Sequence, residues 1–381
     1  MKDYKLPRRL QGVQTTLIRQ VFERALPDSI NLGLGEPDLP TPDFIRREAA
    51  RVALEEQNGY TSHPGLLKLR EQIASDYPNL NLTTNEVVVT CGSQEAMTGA
   101  MLAVVDDGDE VLIPDPVFAA YPNVIRLAGG VPVTFRLPQE KNFGFDLDEF
   151  KSKITAKTKA VVIVSPSNPT GKIFTETDLR EIAAALEGTG AFVISDEIYR
   201  ELYFTDERPA SISDFYERTI IVSGLSKSLS MTGWRLGWVC SQVKEVMRAE
   251  NVIHGYLTVC TATVSQKAAL LAWSDEANKT IAAAREIYKR RRDFFVPLIE
   301  KELGLRAVSP EGAFYTMVDT REFGDDLELS LKLLEQRVIT VPGVAFGEES
   351  RGFLRVSFCA DEDKLTEGVR RIKAGLSEIK L

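Results

Sequence analysis

The chain has 381 residues, 44% of them hydrophobic and 27% charged, with a formal net charge of -9. That length exceeds the ~250–300 residues at which single cores stop growing, so two domains are expected, and interleaved acids and bases offer no basic face to nucleic acid or an anionic membrane. Four cysteines, Cys91, Cys240, Cys260 and Cys359, without a CxxC pair, fit neither a disulfide framework nor a zinc ribbon; the mixed polar N-terminus has no apolar core of signal-peptide length and no run reaches the ~18–20 apolar residues of a membrane span, so the cytoplasm is the expected location.

In chain order, the first 30 to 45 residues carry one short amphipathic stretch, TTLIRQVFERA, expected to pack with the C-terminal unit or on a partner chain. From about 86 to 241, β-rich runs alternate with helical patterns. The strand candidates are EVVVTCG, EVLIPD, VPVTFRL, AVVIVSPSN, AFVISDEIY, TIIVSGLSK and RLGWVCS, and their alternation predicts an α/β fold with a mainly parallel, helix-covered sheet. Between them, 93–105 and 175–186 show helical spacing, the second opened by Thr175 with Asp178 where a full capping box would place Glu or Gln. From 243 to 302 the text is almost all helix-forming and ends in a long segment suited to bridging two domains. A smaller α/β unit is expected from about 305 onward.

The most informative stretch is SGLSKSLSMTGWRLG at 223–237. Lys227 follows an apolar strand in a turn of serines and a glycine, and ligand sites of open α/β sheets lie at such strand ends. A lysine used for Schiff-base chemistry must be held where its charge can be lost, and Arg235 supplies a fixed cation for a phosphate, with Ser223 and Ser226 as further donors. Other cofactor motifs fail on spacing. Gly33 and Gly35 are followed by Asp38 where a dinucleotide fingerprint needs a third glycine, and NPTGK at 168–172 lacks the leading glycine of a phosphate-binding loop. His63 and His254, the two histidines, are far apart, so no metal site is expected.

Ser-Gly-Leu-Ser-Lys followed by Met-Thr-Gly-Trp-Arg-Leu-Gly resembles the pyridoxal-phosphate lysine signature of class I and II aminotransferases, in the aspartate aminotransferase superfamily. The resemblance runs in family order through NLGLGEPDLPTP (31–42), YTSHPGLLKLREQIA (60–74), GSQEAM (92–97), DPVFAAYP (115–122), SPSNPTG (165–171), SDEIY (195–199), SPEGAFY (309–315) and RVSF (355–358). It implies the fold-type I architecture: a three-layer αβα large domain with a mainly parallel seven-stranded sheet, plus a smaller α/β domain. On that pattern an N-terminal arm and part of the small domain occupy 1–45, the cofactor-binding domain 46–275, and the interdomain helix with the small domain 276–381.

The resemblance also implies roles. Lys227 carries pyridoxal 5′-phosphate and shuttles the proton. Asp196 pairs with the ring nitrogen, since the ring withdraws electrons best when protonated. Tyr199 and Asn168 hydrogen-bond the phenolic oxygen, Phe118 stacks on the ring, and Arg355 forks around the substrate carboxylate. Gly35 approaches the substrate with its backbone. Ser93 and Gln94, opening a helix after a strand, offer N–H groups to the phosphate, completed by Arg235 and Ser226. Tyr60 matches the tyrosine that crosses a homodimer to the partner's phosphate. The implied reaction is ping-pong amino transfer, with 2-oxoglutarate and glutamate as a shared pair. A lyase on the same fold, such as a C–S β-lyase, is the alternative, and a ligand-sensing regulator would need a DNA-binding segment for which some 30 residues before NLGLGEPD leave no room. With Leu17 and Ile18 apolar in the N-terminal segment and no arginine assignable to a distal carboxylate, neutral or aromatic donors are expected.

Overall fold

The computed structural model describes residues 7–379. Its centre is a sheet of seven strands: β2 (Val87–Thr90), β3 (Glu110–Asp115), β4 (Val131–Arg136), β5 (Thr158–Val164), β6 (Phe192–Asp196), β7 (Thr219–Gly224) and β8 (Gly237–Cys240), after a short β1 (Ile30–Asn31). The order is β2-β8-β7-β6-β5-β3-β4. Only β8 runs against its neighbours, β2 and β7; the other pairs are parallel. Except for the partly exposed edge strand β4, the strands are apolar on both faces because both are covered. Alternation then divides them: Val88, Val162 and Val164 enter one core, while Val87 and Val89, and likewise Val161 and Ile163, enter those on the other side.

The helices that cover this sheet follow its strands. They are preceded by α1 (Leu17–Glu23), α2 (Asp43–Glu55) and α3 (Leu67–Ser75), and continue as α4 (Ser93–Val104), α5 (Tyr121–Leu127), α6 (Leu147–Lys153), α7 (Glu176–Leu186), α8 (Lys244–Leu257) and α9 (Thr263–Ala269). Thr175 caps α7 as its position predicts, and Asp178 closes the capping box in both directions despite its short side chain. Next comes α10 (Asp275–Leu303), 29 residues opened by the Ser274 cap and stopped by Gly304 in the left-handed region at φ 71°.

A second unit packs against the far half of α10. It comprises β9 (Tyr315–Asp319), α11 (Asp326–Glu335), β10 (Val338–Ile339), β11 (Val341–Pro342), β12 (Phe353–Ser357) and α12 (Glu362–Ile379). Strands β11, β12 and β9 form an antiparallel sheet, and β10 pairs in parallel with β1, which ties the N-terminal segment to this unit. The arm also reaches the large sheet's side, where Asn123 Nδ2 donates to the Gln14 carbonyl at 3.4 Å. The core here gathers Leu32, Tyr288, Phe295, Phe314, Tyr315 and Val356 together with Ile198 and Tyr199 from the end of β6. Strand ends of the large sheet and the face of the second unit thus share one core, and the candidate site lies along that seam.

Candidate active site

Lys227 stands three residues past β7, in a turn whose strand is fully buried. Its Nζ donates to the Gly35 carbonyl at 2.6 Å and lies 6.0 Å from the Tyr199 ring centroid and 5.9 Å from that of Phe314. Burial removes water from the ammonium and takes its pKa down to about 8. The charged groups that also bear on it are Glu36, Arg355 and Asp196.

Asp196 is the last residue of β6, so its side chain emerges where the sheet ends. It is 7% exposed; Oδ2 accepts from the Tyr121 hydroxyl at 2.6 Å and Oδ1 from the Ile198 N–H at 3.0 Å. Burial raises its pKa, against the hydrogen bonds from Tyr121 and Ile198, which lower it. Tyr199, also buried, shares a 2.8 Å hydroxyl–hydroxyl contact with Tyr315, and burial pushes its pKa well above the phenol value.

Arg355 in β12 is 2% exposed, yet no carboxylate pairs with it among the described residues. Nη1 donates to Asn168 Oδ1 at 2.8 Å, Nη2 donates to the Gly33 carbonyl, and the guanidinium lies 4.3 Å from the Tyr315 ring centroid and 4.7 Å from that of Phe346. Its Nε is buried without a partner. A cation so enclosed is costly unless an anion joins it, and a planar fork fits a carboxylate. Gly35 is required by space: a Cβ there would overlap the Tyr315 hydroxyl.

The phosphate cradle is built by close backbone approach. Gly92, at φ 85°, precedes α4 and has no side chain to cap it, leaving the N–H groups of Ser93 and Gln94 at an open helix start. A Cβ on Gly92 would come within 2.5 Å of Arg235 Nη2, and one on Gly237 within 2.6 Å of the Ser93 nitrogen. Arg235 donates from Nη1 to the Thr232 carbonyl at 2.9 Å and has no carboxylate partner among the described residues. Ser226 is buried beside Lys227. A dianionic phosphate fits this set of unpaired donors, as a pyridine nitrogen fits the buried Asp196 carboxylate and an aldehyde the partly neutral Lys227 amine.

Two further expected residues are Phe118 and Tyr60. Phe118 packs its ring edge-to-face with Tyr121, centroids 5.6 Å apart. Tyr60 is 88% exposed. Sequence reasoning missed Tyr121, which reads as an ordinary core tyrosine although it sits three residues after Phe118, and it missed the hydroxyl pairing of Tyr315 within SPEGAFY. Among the described residues no cluster of three or more His, Cys, Asp or Glu is arranged to hold a metal, and no helix is long and apolar enough to cross a membrane.

The comparisons agree with one another. The model for "Aminotransferase class I and II" matches residues 27–372. A probable aspartate/prephenate aminotransferase of Aquifex aeolicus is 40% identical over 365 residues, 92% of each chain, and a probable aspartate aminotransferase of Methanocaldococcus jannaschii is 36% identical over 96% of this chain and 98% of its own. The solved aspartate aminotransferase of Thermus thermophilus with maleate superposes with a TM-score of 0.92 at 33% identity, covering 98% of this chain and all of that one. An aromatic aminotransferase structure from Pyrococcus horikoshii matches at a TM-score of 0.88 and 36% identity, over 95% and 99%.

Proposed function

The chain belongs to the class I and II aminotransferases and is a pyridoxal-phosphate-dependent transferase of fold type I, and from that premise we propose that it moves an amino group between an L-amino acid and a 2-oxo acid by a ping-pong mechanism, with glutamate and 2-oxoglutarate as one pair. The observation that carries this reading is a half-buried lysine amine, held on the Gly35 carbonyl, within electrostatic reach of a buried carboxylate, Asp196, and of a buried guanidinium without a carboxylate partner among the described residues, Arg355.

When bound, the cofactor supplies an electron sink that makes the Cα–H bond of an attached amino acid acidic. Lys227 would carry it and then move the Cα proton. An amine must be neutral to accept that proton, and a pKa of about 8 leaves about a tenth of the side chain neutral at pH 7, far more than an ordinary lysine has. Asp196 would hold the ring nitrogen protonated, with Tyr199 and Asn168 facing the ring oxygen and Phe118 its face. Ser93, Gln94, Ser226 and Arg235 would hold the phosphate. Arg355 would receive the α-carboxylate on the fork it now turns to Asn168 and Gly33, which would hold that end of the amino acid in place.

The site is proposed to be completed in a cytoplasmic homodimer. Tyr60 is exposed, as are Tyr256 (91%), Leu257 and Val259 at the end of α8. The two segments adjoin, since a Cβ on Gly255 would lie 3.1 Å from His63 Nδ1. A two-fold axis through this patch would give each Tyr60 to the phosphate of the partner.

Relatives carry names for aspartate, aspartate/prephenate and aromatic amino acids, so both acidic and aromatic donors belong in the test. Initial rates with glutamate, aspartate, phenylalanine and tyrosine are measured against varied 2-oxo acid. Parallel double-reciprocal lines and stoichiometric exchange are expected. Intersecting lines, or ammonia as the product, overturn the proposal.

A further inference from the structure

Asp196 takes its hydrogen bonds from two sources. One, the Ile198 N–H, belongs to its own strand end and comes with the local chain path. The other comes from α5: the Tyr121 hydroxyl reaches Oδ2 at 2.6 Å, and Tyr121 is itself only 2% exposed. Tyr121 is the first residue of α5, with Pro122 next, and its N–H donates to the Phe118 carbonyl at 3.1 Å. Its ring meets Phe118 edge-on at 84°. One side chain therefore touches both the carboxylate proposed for the ring nitrogen and the aromatic proposed for the ring face.

We propose that Tyr121 is a positioning residue for the transamination, its hydroxyl holding Asp196 ionised and turned toward the cofactor nitrogen while its ring braces Phe118. The inference rests on the proposed role of Asp196. A buried carboxylate in this setting tends to take up a proton, because desolvation disfavours its charge. A protonated Asp196 cannot keep a pyridine nitrogen protonated. The groups bearing on it are Tyr121 from α5, Glu197 beside it in the chain, which favours the protonated form, and Lys227 from the turn after β7, which favours the ionised form. Among the described residues only Tyr121 adds a side-chain hydrogen bond to it. A short O–H donor to a charged oxygen is among the stronger hydrogen bonds, and here it also fixes which lone pairs remain free for the ring. The phenol is well suited, since burial beside Asp196 keeps its proton on at any working pH.

The test is binding, not turnover. Dissociation constants of the purified, cofactor-free protein are measured by equilibrium dialysis for pyridoxal phosphate and for its 1-deaza analogue, which has carbon in place of the ring nitrogen. Tyr121→Phe keeps the ring against Phe118 and removes only the hydroxyl. It is expected to weaken pyridoxal phosphate about tenfold while leaving the deaza analogue nearly unchanged. Equal weakening of both ligands, as a packing defect gives, or no weakening of either, overturns the proposal. Asp196→Asn is the parallel arm: if it too fails to discriminate, the role of Asp196 falls, whereas discrimination by Asp196→Asn but not by Tyr121→Phe sinks Tyr121 alone.

Discussion

Removing the Lys227 charge should make the cofactor-free protein more stable at neutral pH and leave it no more stable at high pH. Burial takes this lysine from 10.5 in the unfolded chain to about 8, a gap of about 2.5 units, or about 3 kcal/mol. Below pH 8 both forms hold the proton and the folded protein bears the full cost of the buried charge. Between pH 8 and 10.5 the unfolded chain still binds a proton that the folded one has lost, so stability rises with pH and the cost disappears. Lys227→Met also forfeits the bond to the Gly35 carbonyl, worth about 1 kcal/mol, so the net gain at pH 7 is about 2 kcal/mol. With about 2.1 cal/mol/K of unfolding entropy per residue, that is a rise of about 2 to 3 °C in the thermal midpoint of a 381-residue chain. Scanning calorimetry of both cofactor-free proteins at pH 7 and pH 10 reads it directly. A Met variant that melts lower at pH 7, or by the same difference at both pH values, would refute the reasoning.

Arg355→Lys should raise KM for every amino donor by about tenfold or more, because the α-carboxylate is common to all and a lysine cannot fork around it; a change confined to acidic donors in steady-state assays would make Arg355 a reader of side chains instead. Gly35→Ala should displace the Tyr315 hydroxyl and with it Tyr199, lowering kcat by more than tenfold with the fold retained by circular dichroism; an unchanged kcat would show that this contact does not order the site. Mixing Lys227→Ala and Tyr60→Ala chains under subunit exchange should restore activity above either parent, since one site of each hybrid then carries neither lesion; no recovery despite proven exchange would contradict a shared site.

The sheet was legible because its strands, the edge strand β4 excepted, are buried on both faces: all seven apolar runs between 86 and 241 are strands of the one sheet. The reversed direction of β8 was not, since apolar content carries no sign of chain direction. The capping of α7 by Thr175 was read from position alone, and Asp178 proved long enough to close the box. Expectation placed the N-terminal segment with the C-terminal unit or a partner, and β1 does pair with β10; its further bond to Asn123 depended on tertiary contact that no local pattern encodes. Lys227 stood out because a lysine between an apolar strand and a serine-rich turn is an odd surface residue. Tyr121 did not, because its hydroxyl partner lies 75 residues away. The expectation of neutral or aromatic donors drew on an apolar arm, whereas several relatives bear the name of aspartate, so side-chain preference is the part of the reading least written in the motifs.

The most direct test separates the two half-reactions. Purified holoenzyme is given glutamate alone, in large excess over sites and without any 2-oxo acid, while the visible absorbance of the lysine-bound cofactor is followed. The account predicts loss of that band with one 2-oxoglutarate formed per site and no ammonia, and its full return when oxaloacetate or a phenylpyruvate is added. In Lys227→Ala neither half should proceed at a comparable rate. Ammonia release with the band regenerating unaided, or an undiminished cycle in the Lys227→Ala protein, would contradict it.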